Sequence, residues 1–232
     1  MRYLLRGLLL GTLLSGLPHL AQGQMVTLDE GSFLLSIRGT PAGTETFSIS
    51  RTGAGAEAQI FARGEVDLQL PQGAIDLAPI LRVSGGEMAV SAYQIRVSGH
   101  QAEEIALELG DRRFVTRTRS ERGEQERESR ATPGTILLDT GVAHQYYFLA
   151  QRLPSSGGTV PVIVPREGRQ FDMVVVDLGS TTLRIGEVEL PARHLRLSGN
   201  GETRDLWVDA LGRVLRLEHT EAGYLALRER AP

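Results

Sequence analysis

Apolar and polar residues alternate with a period of two along most of this chain, and that pattern restricts the fold more than any other feature. In Tyr93-Gln94-Ile95-Arg96-Val97 the odd positions are apolar and the even ones polar. A strand with one buried face requires this, because its successive side chains point to opposite sides. Ser32–Ile37, Thr44–Ser50, Ala56–Leu70, Met88–Val97 and Ile105–Leu109 follow the same rule and read as half-buried strands. Turn residues separate them: Gly39–Gly43 around Pro41, Gly53–Gly55, Ser84-Gly85-Gly86, Gly99, Gly110-Asp111 and Gly123. Such spacing favours antiparallel hairpins and meanders over strand–helix–strand units.

One segment departs from the rhythm. Val142, Tyr146, Leu149 or Ala150, and Leu153 recur at helical spacing, Asp139 or Thr140 can cap the start, and Pro154 stops continuation. Alternation then resumes through Val160–Val164, Phe171–Asp177, Thr181–Ile185, Ala192–Ser198, Asp205–Asp209, Val214–His219 and Tyr224–Arg228. A helix of about twelve residues is only ~18 Å long and cannot shield so many strands, so the sheet must curl on itself, pair with a partner or leave a groove. The expected fold is mainly β: a strongly curved antiparallel sheet, an open barrel or β-roll, with one short helix near 142–153. It forms a single domain over 24–232.

Residues 1–23 read as a secretory signal, with an N-terminal signal helix. Arg2 and Arg6 charge the start, Leu8–Leu14 and Leu17 form a short apolar stretch, and Ala21-Gln22-Gly23 supplies a small-x-small cleavage pattern. Gly11, Ser15 and Pro18 interrupt that stretch, which falls short of the ~20 apolar residues of a membrane span; the alternative is an uncleaved anchor. The expected location is periplasmic or secreted, and the mature chain is not expected to be transmembrane. Loss of Arg2 and Arg6 takes the net charge from −3 to −5, a poor balance for binding nucleic acid, where phosphate neutralisation carries the affinity.

The chain has neither Cys nor Lys, which removes thiolate, Schiff-base and Walker-lysine chemistry. His100, His144, His194 and His219 form no chelating pair by spacing, so no metal site and no cofactor is expected. Seven Arg between 111 and 130, interleaved with Glu121, Glu124, Glu126 and Glu128, read as a solvated hairpin turning at Gly123 with opposite charges facing across the strands. Asp205 and Asp209 flanking Trp207 likewise read as structural.

Ile136-Leu137-Leu138-Asp139-Thr140-Gly141 looks like the aspartic-protease signature, and Val174-Val175-Val176-Asp177-Leu178-Gly179-Ser180 like a degenerate copy. Two such carboxylates must share a proton to act. Their 38-residue separation is too short for two lobes, and Asp139-Thr140-Gly141 equally suits a strand-to-helix corner. Asp139 is the one catalytic candidate.

Gly39-Thr40-Pro41-Ala42-Gly43-Thr44-Glu45-Thr46-Phe47, then Leu138-Asp139 before an aromatic helix, the Val160–Pro165 strand and the Leu206–Arg216 hairpin form a succession that resembles a group of uncharacterised exported bacterial β-roll proteins. Their fold is similar to that of the LolA/LolB-type periplasmic lipoprotein carriers. The likeness covers most of 26–230; the lipidated Cys of LolB is missing, and no residue pattern matches the carriers' lipid contacts. The resemblance implies the fold, and by analogy a lipid ligand. The expected function is that of a non-enzymatic envelope protein holding a lipid, another apolar ligand or a partner segment, with Tyr146, Tyr147, Phe148 and Trp207 as candidate linings. The alternatives are an aspartyl hydrolase using Asp139, or an envelope-assembly component that binds another envelope protein and no small ligand.

Overall fold

The computed structural model describes residues 25–99, 102–153 and 157–232; the signal segment and its helix lie outside the described residues. The first strands are β1 (Val26–Ile37), β2 (Thr40–Thr52), β3 (Gln59–Leu70), β4 (Gly73–Ser84), β5 (Val90–Gly99), β6 (Glu103–Leu109), β7 (Arg113–Ser120) and β8 (Gly123–Arg130). A short strand β9 (Ile136–Leu137) leads to the helix α1 (Tyr146–Arg152). Then come β10 (Gly158–Val164), β11 (Arg169–Ile185), β12 (Val188–Gly199), β13 (Glu202–Val208), β14 (Val214–His219) and β15 (Tyr224–Arg228). All belong to one sheet in the order β8-β7-β6-β5-β4-β3-β2-β1-β15-β14-β13-β12-β11-β10-β9. Every neighbour is antiparallel except β9 and β10.

The order is two meanders joined where β1 pairs with β15, Leu34 opposite Leu227. Consecutive hairpins explain β1–β8 and β10–β15, since short turns can only return a strand beside its predecessor; β9 reaches β10 through α1 and so lies parallel to it. The central seam is reinforced by Arg228, buried on β15, whose guanidinium holds the buried Asp29 carboxylate through Nη1 (3.0 Å) and Nη2 (2.7 Å).

The sheet curves until its ends approach without joining. β8 and β9, the two edges, are not paired with each other. Side chains bridge the gap instead: Arg127 donates to the Gly168 carbonyl (2.9 Å), and Gln170 donates to the Arg130 carbonyl (2.7 Å). The charged β7–β8 hairpin has the expected cross-strand pairs, Arg117–Glu126 and Arg119–Glu124. A charged edge of this kind resists pairing with another chain.

Inside the curve, α1 buries Tyr146, Tyr147, Phe148 and Leu149 against a continuous apolar face that includes Phe33, Phe47, Tyr93, Leu107 and Leu195. The helix begins four residues later than its apolar spacing predicts. Tertiary contacts claim the preceding N–H groups: Glu45 accepts those of Ala143 (2.7 Å) and His144 (2.9 Å). Residues 139–145 therefore form turns rather than a first helical turn, and neither Asp139 nor Thr140 caps α1, whose N-cap is Gln145.

Several strands also differ from the alternation. Residues 55–57 form a 3-10 turn, so β3 starts at Gln59. Phe171–Asp177 and Thr181–Ile185 belong to a single strand of 17 residues that absorbs a bulge between Asp177 and Gly179. β4 carries a clean alternation (Ile75, Leu77, Pro79, Leu81, Val83) hidden by a central proline, ordinarily a sign against an inner strand. The β3–β4 pairing lapses at that place, passing from Arg63↔Ile80 to Val66↔Leu77.

Candidate functional site

Glu45 stands in the inward phase of β2 with Phe47 and Ile49, and all three are buried. Its carboxylate contacts His144 Nδ1 at 2.6 Å besides the two backbone donors. The imidazole stacks on Phe47, centroids 5.7 Å apart. It rests against Gly64, where an added Cβ would come within 2.7 Å of His144 Cε1. Pro79 Cγ lines the same spot, so the lapse in the β3–β4 ladder is where the loop before α1 seats.

The same loop carries Asp139. Its Oδ2 accepts a bond from Tyr93 Oη (2.7 Å), and its Oδ1 accepts from the Thr140 N–H (2.9 Å) and Arg166 Nε (3.2 Å). Gln145 Oε1 accepts the Asp139 N–H at 2.6 Å. Burial raises the Tyr93 hydroxyl well above its usual range, and the Asp139 carboxylate beside it adds to the rise. Tyr93 is thus a fixed donor. Arg166 also donates to the Thr140 carbonyl, and Thr140 Oγ1 to Glu167. The β10–β11 turn therefore straps the Asp-Thr-Gly loop down. Asp177, the other half of the protease-like pattern, is engaged elsewhere, accepting from Arg193 Nε and the Gly179 N–H, each at 2.7 Å.

Between this loop and the far wall lies a cavity of about 270 Å³. Ile37, Leu68, Leu70, Ile75, Leu77 and Leu217 give it apolar sides; Asp139–Val142 and Tyr146 form its floor. Its polar lining comes from Arg166, Arg204, His219 and Tyr224. Arg204 donates through Nη1 to Tyr146 Oη and through Nη2 to Glu202 (2.7 Å). Burial raises the Tyr146 and Tyr224 hydroxyls, Arg204 opposing the rise at Tyr146 and Glu45 adding to it at Tyr224. Burial lowers the His219 imidazole, and the Arg204 charge acts in the same direction.

Of the residues singled out by sequence, Asp139 and Tyr146 meet at this cavity. Tyr147 and Phe148 pack edge to face at 5.5 Å within the core. Trp207 is in the outward phase of β13. It stacks on His194 at 4.3 Å, lies under the Arg216 guanidinium at 4.9 Å and packs against a small separate cluster of Leu183, Ile185, Ala192 and Leu215. A larger groove of about 590 Å³ lies over β4–β8, bordered by the ion pairs Arg96–Glu104, Arg117–Glu126 and Arg119–Glu124. Its charges are already matched.

Sequence reading missed Glu45, Arg204 and Tyr224 and weighed His219 only as a metal ligand. A signal was present: each occupies the inward phase of its strand, Arg204 with Leu206 and Val208, Tyr224 with Ala226. A polar group in an apolar phase must find a partner or a purpose, because burying it alone is costly. Among the described residues, no group of His, Asp and Glu could hold a metal ion, and no helix is long and apolar enough to cross a membrane. No family model, curated protein or solved structure matches the chain.

Proposed function

We propose that this chain is an exported, non-enzymatic binding protein of the bacterial envelope, periplasmic or secreted, that takes a lipid-like apolar ligand inside its curved sheet. The observation that carries the reading is the cavity between the Asp139–Tyr146 segment and the β3–β4 and β14–β15 hairpins, with aliphatic side walls and a few polar groups gathered together. Small-molecule sites have this character: mostly apolar, concave and oriented by a handful of polar groups. The LolA/LolB-like resemblance belongs to the same proposal, since one open meander around a helix is the architecture it implies. Export rests on the pattern of residues 1–23.

A hydrolase built on Asp139 draws no support from the geometry, because three donors occupy its oxygens. An assembly component adding a strand at a sheet edge fares no better, given the charged β8 and the two-residue, buried β9.

The test is fluorescence titration of the delipidated protein with N-phenyl-1-naphthylamine, a neutral apolar probe. Saturable enhancement at micromolar protein, lost in Leu70→Trp at the half-buried rim, is the expected result. No enhancement, or enhancement indifferent to that substitution, would overturn the reading.

A further inference from the structure

Polar groups interrupt the apolar lining of the cavity, Asp139, Thr140 and Arg166 from the loop side and Arg204, His219 and Tyr224 from β13–β15. Arg204, with its side chain 5% exposed, and Tyr224 line it together. Both have a buried polar atom without a hydrogen-bond partner, Nε of Arg204 and Oη of Tyr224, and so has the neighbouring His219, at Nε2. The carboxylates nearby are already engaged: Glu45 by three N–H groups, Glu202 by Arg204 and Arg169, and Asp139 by Tyr93 and Arg166. The two guanidinium groups that line the cavity are each paired, Arg166 with Asp139 and Arg204 with Glu202. Arg204 Nε can only donate and the Tyr224 hydroxyl can donate, so an acceptor on a ligand would meet both.

An acceptor with no hydrogens of its own, brought in by an apolar body, satisfies these donors. A carboxylate fits best, because it presents two oxygens, can face both donors at once and makes charge-assisted bonds. The size of the space limits the rest. At about 270 Å³ it suits one aliphatic chain of moderate length rather than a long or doubled one.

We infer that the ligand is a medium-chain aliphatic carboxylate, its head bound by Arg204 and Tyr224 and its chain lying along Leu68, Leu70, Ile75 and Leu77. This inference rests on the proposed binding function and adds the polarity and length of the ligand. Arg204 is held ready by Tyr146 and Glu202, so the head meets a guanidinium already fixed in place, which lowers the cost of binding.

The experiment is displacement of bound N-phenyl-1-naphthylamine at pH 7.5 by decanoate, decan-1-ol and decylamine. Decanoate is expected to compete at least tenfold better than the other two, as a charge-assisted bond to a buried donor implies. Tyr224→Phe and Arg204→Met are each expected to cut the preference for decanoate over decanol by about tenfold. Should Arg204→Met fail to fold, Tyr224→Phe decides alone. If the probe binds and decanol competes as well as decanoate, or if the preference survives Tyr224→Phe, the carboxylate assignment is wrong while the apolar site stands. If the probe does not bind at all, the binding function itself fails.

Discussion

Glu45 on β2 and His144, 99 positions later, are both fully buried, and the carboxylate of one receives the backbone N–H and faces the ring nitrogen of the other. This contact fixes the loop that forms the cavity floor. Removing the carboxylate leaves buried N–H groups of Ala143 and His144 without an acceptor, which typically costs about 1–3 kcal/mol each. Glu45→Ala should lose about that much stability in urea denaturation. A loss under about 1 kcal/mol would mean the loop is held by packing alone.

Gly64 illustrates the same seat from the sheet side. A side chain there meets His144 and Pro79, and overpacking of this kind typically costs about 1–3 kcal/mol. Gly64→Val is expected to lower the thermal midpoint and to weaken binding of the apolar probe by displacing the loop. An unchanged midpoint would show that His144 has room to move aside.

Asp139 is a structural acceptor in this fold. Asp139→Asn retains an acceptor oxygen but removes the charge facing Arg166, and should cost about 1–3 kcal/mol of stability. Wild type and variant alike should leave casein intact from about pH 3 to about pH 6, the range in which a carboxylate pair sharing one proton would act. Cleavage by the wild type that Asp139→Asn abolishes would restore the hydrolase reading.

Acid should destabilise the protein in two stages. His219 sits below its ordinary 6.5 because burial and the nearby Arg204 charge disfavour its protonated form. Below pH 6.5 the unfolded chain therefore binds the proton first, and stability declines as pH falls toward the lowered folded value. Glu202 lies below its ordinary 4.5: burial works against this, but bonds from Arg204 and Arg169 outweigh it. Its contribution is complete above 4.5 and is lost as pH drops through its lowered value. His219→Gln should flatten the upper stage of a thermal-midpoint profile, and Glu202→Gln the lower. A wild-type profile level from about pH 7 to about pH 5 would contradict the His219 assignment, and one level from about pH 4.5 to about pH 2 the Glu202 assignment.

Local pattern alone determined the class of this fold. Alternation such as Tyr93–Val97 specifies one buried face, and closely spaced turn glycines require antiparallel neighbours, so a long meander follows from physics that acts over a few residues. The cross-strand charges of β7–β8 were legible for the same reason. Pro79 and the Asp177–Gly179 bulge concealed β4 and divided β11 in the reading because a ladder can tolerate one missing bond when its neighbours hold. The start of α1 and the cavity belong to the tertiary structure. Glu45 meets Ala143 and His144 across 98 and 99 positions, and Arg204 meets Tyr146 across 58. Such partners come together only once the sheet has curled, and no periodicity within either segment encodes how far it will curl.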